Sequence, residues 1–251
     1  MSSLTSNDDE WRQRFRDYGW PSFDALWQLK ADTVEPENVR RGGWSSVVRM
    51  EAQDGTAYYL KRQENHDFRD ASTGYRRTPT VVREWRTAAA FSTLGIGVAT
   101  AVCLGVDKTD ASRGLLVTEA LDDHAALSDV LQASPTSADR RSLWQQLADQ
   151  IRRMHEHHYR HNCLYAQHIL VRQESSGRWD IRFIDLEKAS QVRNVNRATI
   201  GDLSQLDRHT DDMSLGDRLW LWDCYFEGVP LSSRRQILKT LAKRSAARGV
   251  R

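Results

Sequence analysis

The run His161-Asn162-Cys163-Leu164-Tyr165-Ala166-Gln167-His168-Ile169-Leu170-Val171, with Phe183-Ile184-Asp185-Leu186-Glu187 soon after it, constrains the fold more than any other part of the chain. It reads as a polar loop, a short apolar strand, a turn, and a second short strand, Ile181-Arg182-Phe183-Ile184, that ends on a carboxylate. A carboxylate emerging from a strand suits Mg²⁺, which prefers oxygen ligands and bridges nucleotide phosphates. The plainer alternative is an aspartate in a turn after a strand. Glu187 either helps the metal or faces solvent.

A chain of 251 residues can hold one large domain or a two-lobed one. With 39% hydrophobic and 28% charged residues it reads as globular, and no apolar run is long enough to span a bilayer. Met1 to Glu10 lacks a basic region followed by an apolar core, so no secretory signal is expected and a cytoplasmic location is. Cys103, Cys163 and Cys224 lack metal-ligand spacing and fit free thiols in a reduced compartment. A formal net charge of +2 gives no argument for nucleic acid. The lysines are only Lys30, Lys61, Lys108, Lys188, Lys239 and Lys243, and arginine supplies the other basic residues. The flat guanidinium fork suits phosphate and carboxylate partners, although genomic G+C bias produces the same excess.

Aromatics on a polar background from Asp9 to Lys30 predict one or two short amphipathic helices, so residues 1–38 form a helical extension. Val39 to Lys61 reads as strand, turn, strand, with Asp54-Gly55 as the hairpin turn. Asn65 to Arg77 is charged, has no apolar period, and reads as a loop. A helix from about Thr80 stops at Gly95. Strands follow near Val98–Leu104 and Gly114–Thr118. Helices then dominate: Ala126–Leu131, Ser137–Tyr159, roughly Gly201–Phe226, and Leu231 to about Arg248. The plan is α+β, with a small β-rich lobe over 39–118 and a mostly helical lobe over 119–251. Ligand sites favour clefts between such lobes.

Arg41-Gly42-Gly43-Trp44-Ser45-Ser46-Val47-Val48 puts small residues in the first hairpin. Gly43, Ser46 and Val48 fit a G-x-x-G-x-V spacing, and with Ser45 they would let backbone N–H groups approach phosphate oxygens. Glycines in a hairpin otherwise just make the turn. Lys61 ends the returning strand, and Glu84 lies early in the next helix, where a carboxylate can hold the ammonium toward phosphates. A solvated surface pair is the common alternative. Glu119 sits where a connector between lobes would offer its backbone to adenine. His168 stands before an apolar strand, as a metal or phosphate ligand or as a structural residue. The cluster His155, His157, His158 and His161 does not read as zinc, because the H-E-x-x-H order is absent. His161 reads instead as a brace for the loop.

Leu164-Tyr165-Ala166-Gln167-His168-Ile169-Leu170-Val171 resembles the L-Y-x-x-H-[IF]-L-[VL] run of the lipopolysaccharide core kinase family, the Kdo and heptose kinases, within its InaA-like branch. Phe183-Ile184-Asp185-Leu186-Glu187-Lys188-Ala189 is similar to the family's I-D-L-x-[KR]-[AV] motif, and Arg83-Glu84-Trp85 to its R-E-x segment. Gly201-Asp202-Leu203-Ser204-Gln205-Leu206 resembles its R-D-L-x-x-L helix, with glycine where arginine is usual. The resemblance spans roughly Arg41 to Phe226. It implies a protein-kinase-like fold, ATP, Mg²⁺, and phosphorylation of a sugar hydroxyl on a lipid-linked core. By position, Lys61 would hold phosphates, Glu84 would hold Lys61, and Asp185 would bind metal with support from His168. Asp202 would brace the catalytic loop.

Cys163 departs from that pattern, because the family's catalytic aspartate belongs there. A thiol is mostly neutral at neutral pH and a poor proton acceptor. Two outcomes remain open: a kinase for lipopolysaccharide core or a related glycan, or a pseudokinase that binds nucleotide or acts as a scaffold. A small-molecule phosphotransferase on the same scaffold is a third. The basic stretch Arg234–Arg244 could rest on an anionic inner leaflet; the alternative is a closing helix with a solvated basic face.

Overall fold

The structure is a computed structural model that describes residues 3–6, 9–34, 36–40, 42–133 and 135–246. Arg41, part of the amino-terminal decapeptide, and the end of the last predicted helix lie outside the described residues. The chain forms two compact units. One comprises the residues up to Ala89 with Ala99–Ala120; the other comprises Ala90–Val98 with the residues from Leu121 on.

The first unit is built on strands β1 (Ser3–Ser6), β2 (Asn38–Arg40), β3 (Gly43–Glu51), β4 (Ala57–Glu64), β7 (Ala101–Val106) and β8 (Arg113–Glu119). They form one antiparallel sheet in the order β1-β7-β8-β4-β3-β2. Between β4 and helix α3 (Thr80–Thr93) lies a separate hairpin of β5 (Asp67–Asp70) and β6 (Arg76–Pro79). This hairpin replaces the loop expected over Asn65–Arg77. It has few apolar residues to alternate, so its strands leave no periodic signal.

Side chains alternate across a strand, and β4 shows what that separation does. Tyr58 and Leu60 are fully buried in a cluster with Phe15, Trp20, Phe23 and Leu26 from the helical segment α1 (Asp9–Asp17) to α2 (Phe23–Trp27). Trp11, Phe15 and Trp20 meet the Tyr58 ring edge-on at 5.9–6.0 Å, a geometry aromatic quadrupoles favour. Arg62, on the same face, donates to the carbonyls of Trp27 (2.8 Å) and Leu29 (3.0 Å). The aromatics of this amino-terminal segment therefore cover one face of the sheet.

The other face of β4 carries Lys61 and Gln63. Gln63 is fully buried, and its Oε1 accepts from Thr80 Oγ1 and the Val81 N–H, both at 3.0 Å. The first turn of a helix has unsatisfied N–H groups, and here a strand side chain caps α3 from outside.

The second unit contains the sheet β12-β11-β9 (Trp179–Phe183, Ile169–Gln173, Ala125–Ala126) and the short pair β10 (Tyr159–Arg160) with β13 (Ser190–Gln191). Helices α4 (Leu127–Gln132), α5 (Ser137–Glu156), α6 (Val195–Arg208), α7 (Leu215–Tyr225) and α8 (Leu231–Ala246) supply most of its mass. The single helical region expected over Gly201–Phe226 is in fact the end of α6 and all of α7. The break comes from Ser214, which opens α7 with Asp217 in a reciprocal capping box. Burial alone would raise the Asp217 pKa, but Arg140, Ser214 and Trp144 outweigh it and hold the carboxyl at about 2. In α8, Ile237 and Leu241 are buried, while Arg235, Lys239, Lys243 and Arg244 are exposed. No described helix is long and apolar enough to cross a membrane.

Candidate active site

In the first unit Lys61 Nζ lies 2.9 Å from Glu84 Oε2, and both side chains are mostly shielded from water. The geometry follows from the cap: Gln63 fixes the start of α3, and Glu84 sits one turn later, facing Lys61. Register extends this face to β3. Val47 lies opposite Lys61, and Ser45 lies opposite Gln63, so Ser45 shares the Lys61 face. Ser46 lies opposite Arg62 and points to the other face, where its buried Oγ has no hydrogen-bond partner among the described residues.

Gly43 has a structural reason to be glycine. A Cβ there would lie 2.4 Å from the Asn65 carbonyl oxygen, so the sheet itself demands the small residue. Glu119 ends β8 opposite Tyr58, which turns its side chain toward the aromatic cluster and away from the Lys61 face. Its N–H already donates to the Thr100 carbonyl at 2.9 Å.

In the second unit the loop before β11 is anchored on α6. Asp202 is fully buried and accepts from the His161 N–H (2.7 Å), the Asn162 N–H (3.0 Å), His155 Nε2 (3.2 Å) and Arg160 Nε (3.3 Å). Burial alone would raise its pKa; His155 and the loop amides outweigh it and hold the carboxyl below its ordinary value. Gly201 makes room for this arrangement, because a Cβ there would lie 2.5 Å from the Arg160 guanidinium. Asn162 adopts a left-handed conformation (φ 66°) and donates from Nδ2 to the Lys188 carbonyl (2.8 Å) and Ser190 Oγ (3.0 Å). Gln205 donates to the Asn162 carbonyl at 2.9 Å.

Cys163 sits on this loop at 2% exposure. Burial pushes its thiol pKa up, and the neighbouring Lys188 ammonium, which hydrogen-bonds it, offsets only part of that. The thiol is therefore neutral. Its N–H donates to Nδ1 of the fully buried His161 at 3.3 Å, and burial lowers the His161 pKa. His161 is thus a neutral brace with its proton on Nε2.

His168 Nδ1 lies 2.9 Å from the Cys163 carbonyl and 3.7 Å from Asp185 Oδ2. A carbonyl only accepts, so Nδ1 is the protonated nitrogen. The nitrogen nearest Asp185 therefore has no lone pair for a metal; only Nε2 does, and it lies 3.3 Å from Gln167 Nε2. Asp185 is in a left-handed conformation (φ 56°, ψ 55°), with its carboxylate about a quarter exposed and Glu187 buried close by in sequence. Held strain of this kind clusters at functional positions.

Lys61 and Glu84 are thus brought together within the first unit, and Cys163, His168 and Asp185 within the second. The donor set suits Mg²⁺: a carboxylate supplies hard oxygen, and such a site draws its other ligands from water and phosphate. Lys188 and Gln205 carry roles that no motif reading assigned to them. The scarcity of lysine was the available signal for Lys188.

The profile of the lipopolysaccharide kinase (Kdo/WaaP) family matches residues 24–225. The chain is 30% identical to Protein InaA of Escherichia coli (strain K12) over 203 residues, covering 79% of this chain and 92% of that protein. Its fold is similar to the solved structure of WaaP in complex with acyl carrier protein, with a TM-score of 0.74 at 20% identity over 98% of this chain and 99% of that one. A β-rich first unit and a mostly helical second unit agree with the kinase-like α+β plan read from the sequence.

Proposed function

The chain belongs to the lipopolysaccharide kinase (Kdo/WaaP) family, and from that premise we propose an ATP-dependent kinase that phosphorylates a sugar hydroxyl of the lipopolysaccharide core or a related glycan. The shielded Lys61–Glu84 pair is the observation that carries this reading. Its alternative as a solvated surface pair does not fit side chains this little exposed. Lys61, held by Glu84, binds the α- and β-phosphates of the nucleotide. Ser45 lines the same face, while Gly43 and Ser46 shape the hairpin. The Glu119 carbonyl meets the adenine. Asp185 would hold Mg²⁺, and the ion would supply positive charge against the phosphate oxygens. His168 fixes the loop through the Cys163 carbonyl and leaves the Nε2 lone pair for the metal. The protein works in the cytoplasm, and exposed Arg235, Lys239 and Lys243 on α8 touch the anionic inner leaflet by charge alone.

Thermal melting tests the nucleotide site. Mg²⁺-ATP raises the melting temperature of the wild type, and Lys61→Met cancels the rise. Transfer of the γ-phosphate to a core saccharide is lost in Asp185→Ala. Wild type and both variants behaving alike, with no rise and no transfer, would overturn the proposal.

The neutral, buried Cys163 thiol favours a second reading, a pseudokinase that binds nucleotide with little transfer. Phosphoryl transfer depends mainly on positioning and charge, so the missing carboxylate slows the reaction without excluding it.

A further inference from the structure

The β5–β6 hairpin has no part in the site described above, and packing does not explain its outward residues. One face is docked on α3: Arg86 Nη1 donates to Asp70 Oδ2 at 2.6 Å, and the Arg83 guanidinium lies 4.4 Å from the Phe68 ring centre. On the opposite face Arg69 and Arg77 stand directly across from one another in the antiparallel register, and both are exposed. Like charges directly opposite on a strand pair are destabilising, and an isolated two-stranded hairpin has little stability to lose. Asp67 takes Arg77 Nε at 3.0 Å, which leaves the rest of that guanidinium directed outward. Among the described residues Arg69 makes only a long 3.5 Å contact, to the Tyr75 carbonyl. Tyr75 itself is 65% exposed and left-handed (φ 62°), directly after left-handed Gly74. Glycine or asparagine would occupy that position at lower cost.

We propose that this hairpin is a binding site for an anionic saccharide group, in which Arg69 and Arg77 clamp one phosphate or carboxylate and Tyr75 lies against the sugar ring. Paired guanidinium forks match a single small oxyanion. An exposed aromatic ring on a polar hairpin offers a flat face to a sugar. Tyr75 is the hairpin's one exposed large hydrophobic residue, so there is no apolar set to enter a bilayer. The inference rests on the glycan-kinase reading and names how its acceptor is held.

Binding is measured without nucleotide, by titration with deacylated lipopolysaccharide core oligosaccharide, with neutral maltoheptaose as control. Wild type binds the anionic probe and not the neutral one. Arg69→Gln with Arg77→Gln weakens binding about tenfold or more, with a melting temperature that is not lowered and an unchanged rise on adding Mg²⁺-ATP. Tyr75→Gly weakens binding while raising the melting temperature, because it releases the left-handed strain. Equal affinity in the double arginine variant, or equal binding of maltoheptaose, overturns the proposal. Arg69- and Arg77-dependent binding to phosphatidylglycerol vesicles, with none to the oligosaccharide, assigns the patch to a membrane and also overturns it. Loss of the Mg²⁺-ATP response in the wild type would instead refute the kinase reading.

Discussion

Replacing Asp202 by alanine should cost more stability than any change at the solvent-facing residues of the site. The carboxylate is fully buried and accepts four hydrogen bonds, two of them from the backbone N–H groups of His161 and Asn162. Alanine leaves those two donors unpaired in the interior, at about 1–3 kcal/mol each. It also leaves Arg160 and His155 without their anion, and breaking a buried pair from one side costs about 3–5 kcal/mol. These contributions overlap, so the expected loss is about 4 kcal/mol. Asp202→Asn keeps one acceptor but sets an NH₂ group against a loop donor, and about half that loss is expected. Urea denaturation with an unchanged m-value measures the loss, and hydrogen exchange reads protection of the two amides directly. If the alanine variant loses less than about 1 kcal/mol, and the His161 and Asn162 amides stay protected, the loop is not held from α6.

Cys163→Asp places a carboxylate beside Lys188; transfer should rise by about 10²–10⁴, the range attributed to a general base, with an unchanged Mg²⁺-ATP melting response. No gain would show that position 163 does not face the acceptor. His161 is buried with its pKa lowered, so below its ordinary value of 6.5 the unfolded chain takes up a proton that the folded one refuses. Its share of stability is complete above that pH and falls as pH drops below it, by up to about 1.4 kcal/mol per unit. Urea midpoints from pH 7.5 to 5.5 should show this slope, and His161→Gln should reduce it; identical slopes would contradict the assignment. Binding of α8 to anionic vesicles should vanish at high salt and in Lys239→Glu/Lys243→Glu, and salt-resistant sedimentation would contradict a purely electrostatic contact.

Local patterns carried the large elements. Apolar period gave α3, helical composition gave α5 and α8, and Asp54-Gly55 gave the β3–β4 turn, because those signals lie within a few residues. Lys61 and Glu84 were legible for a related reason: strand, connection and helix follow in order, and their side chains meet at 2.9 Å. What was not legible depends on space. The strand register, not the glycine spacing, turns Ser46 away from Lys61. Asn65 explains Gly43 by backbone proximity. The Gln63 cap joins a strand to a helix start with no sequence signature of its own. The tautomer of His168 is set by the Cys163 carbonyl, which no motif describes. The β5–β6 hairpin stayed hidden because strands that bury few apolar residues show no alternation.

At Gly201 the Arg160 guanidinium occupies the room that a side chain would need, and from there it donates to the Asp202 carboxylate. Any side chain at 201 would meet that guanidinium where it now lies, so a residue there and Arg160 in its present place exclude one another. Installing arginine at 201 should therefore evict Arg160 into solvent, and trimming position 160 at the same time should restore what the single change takes away.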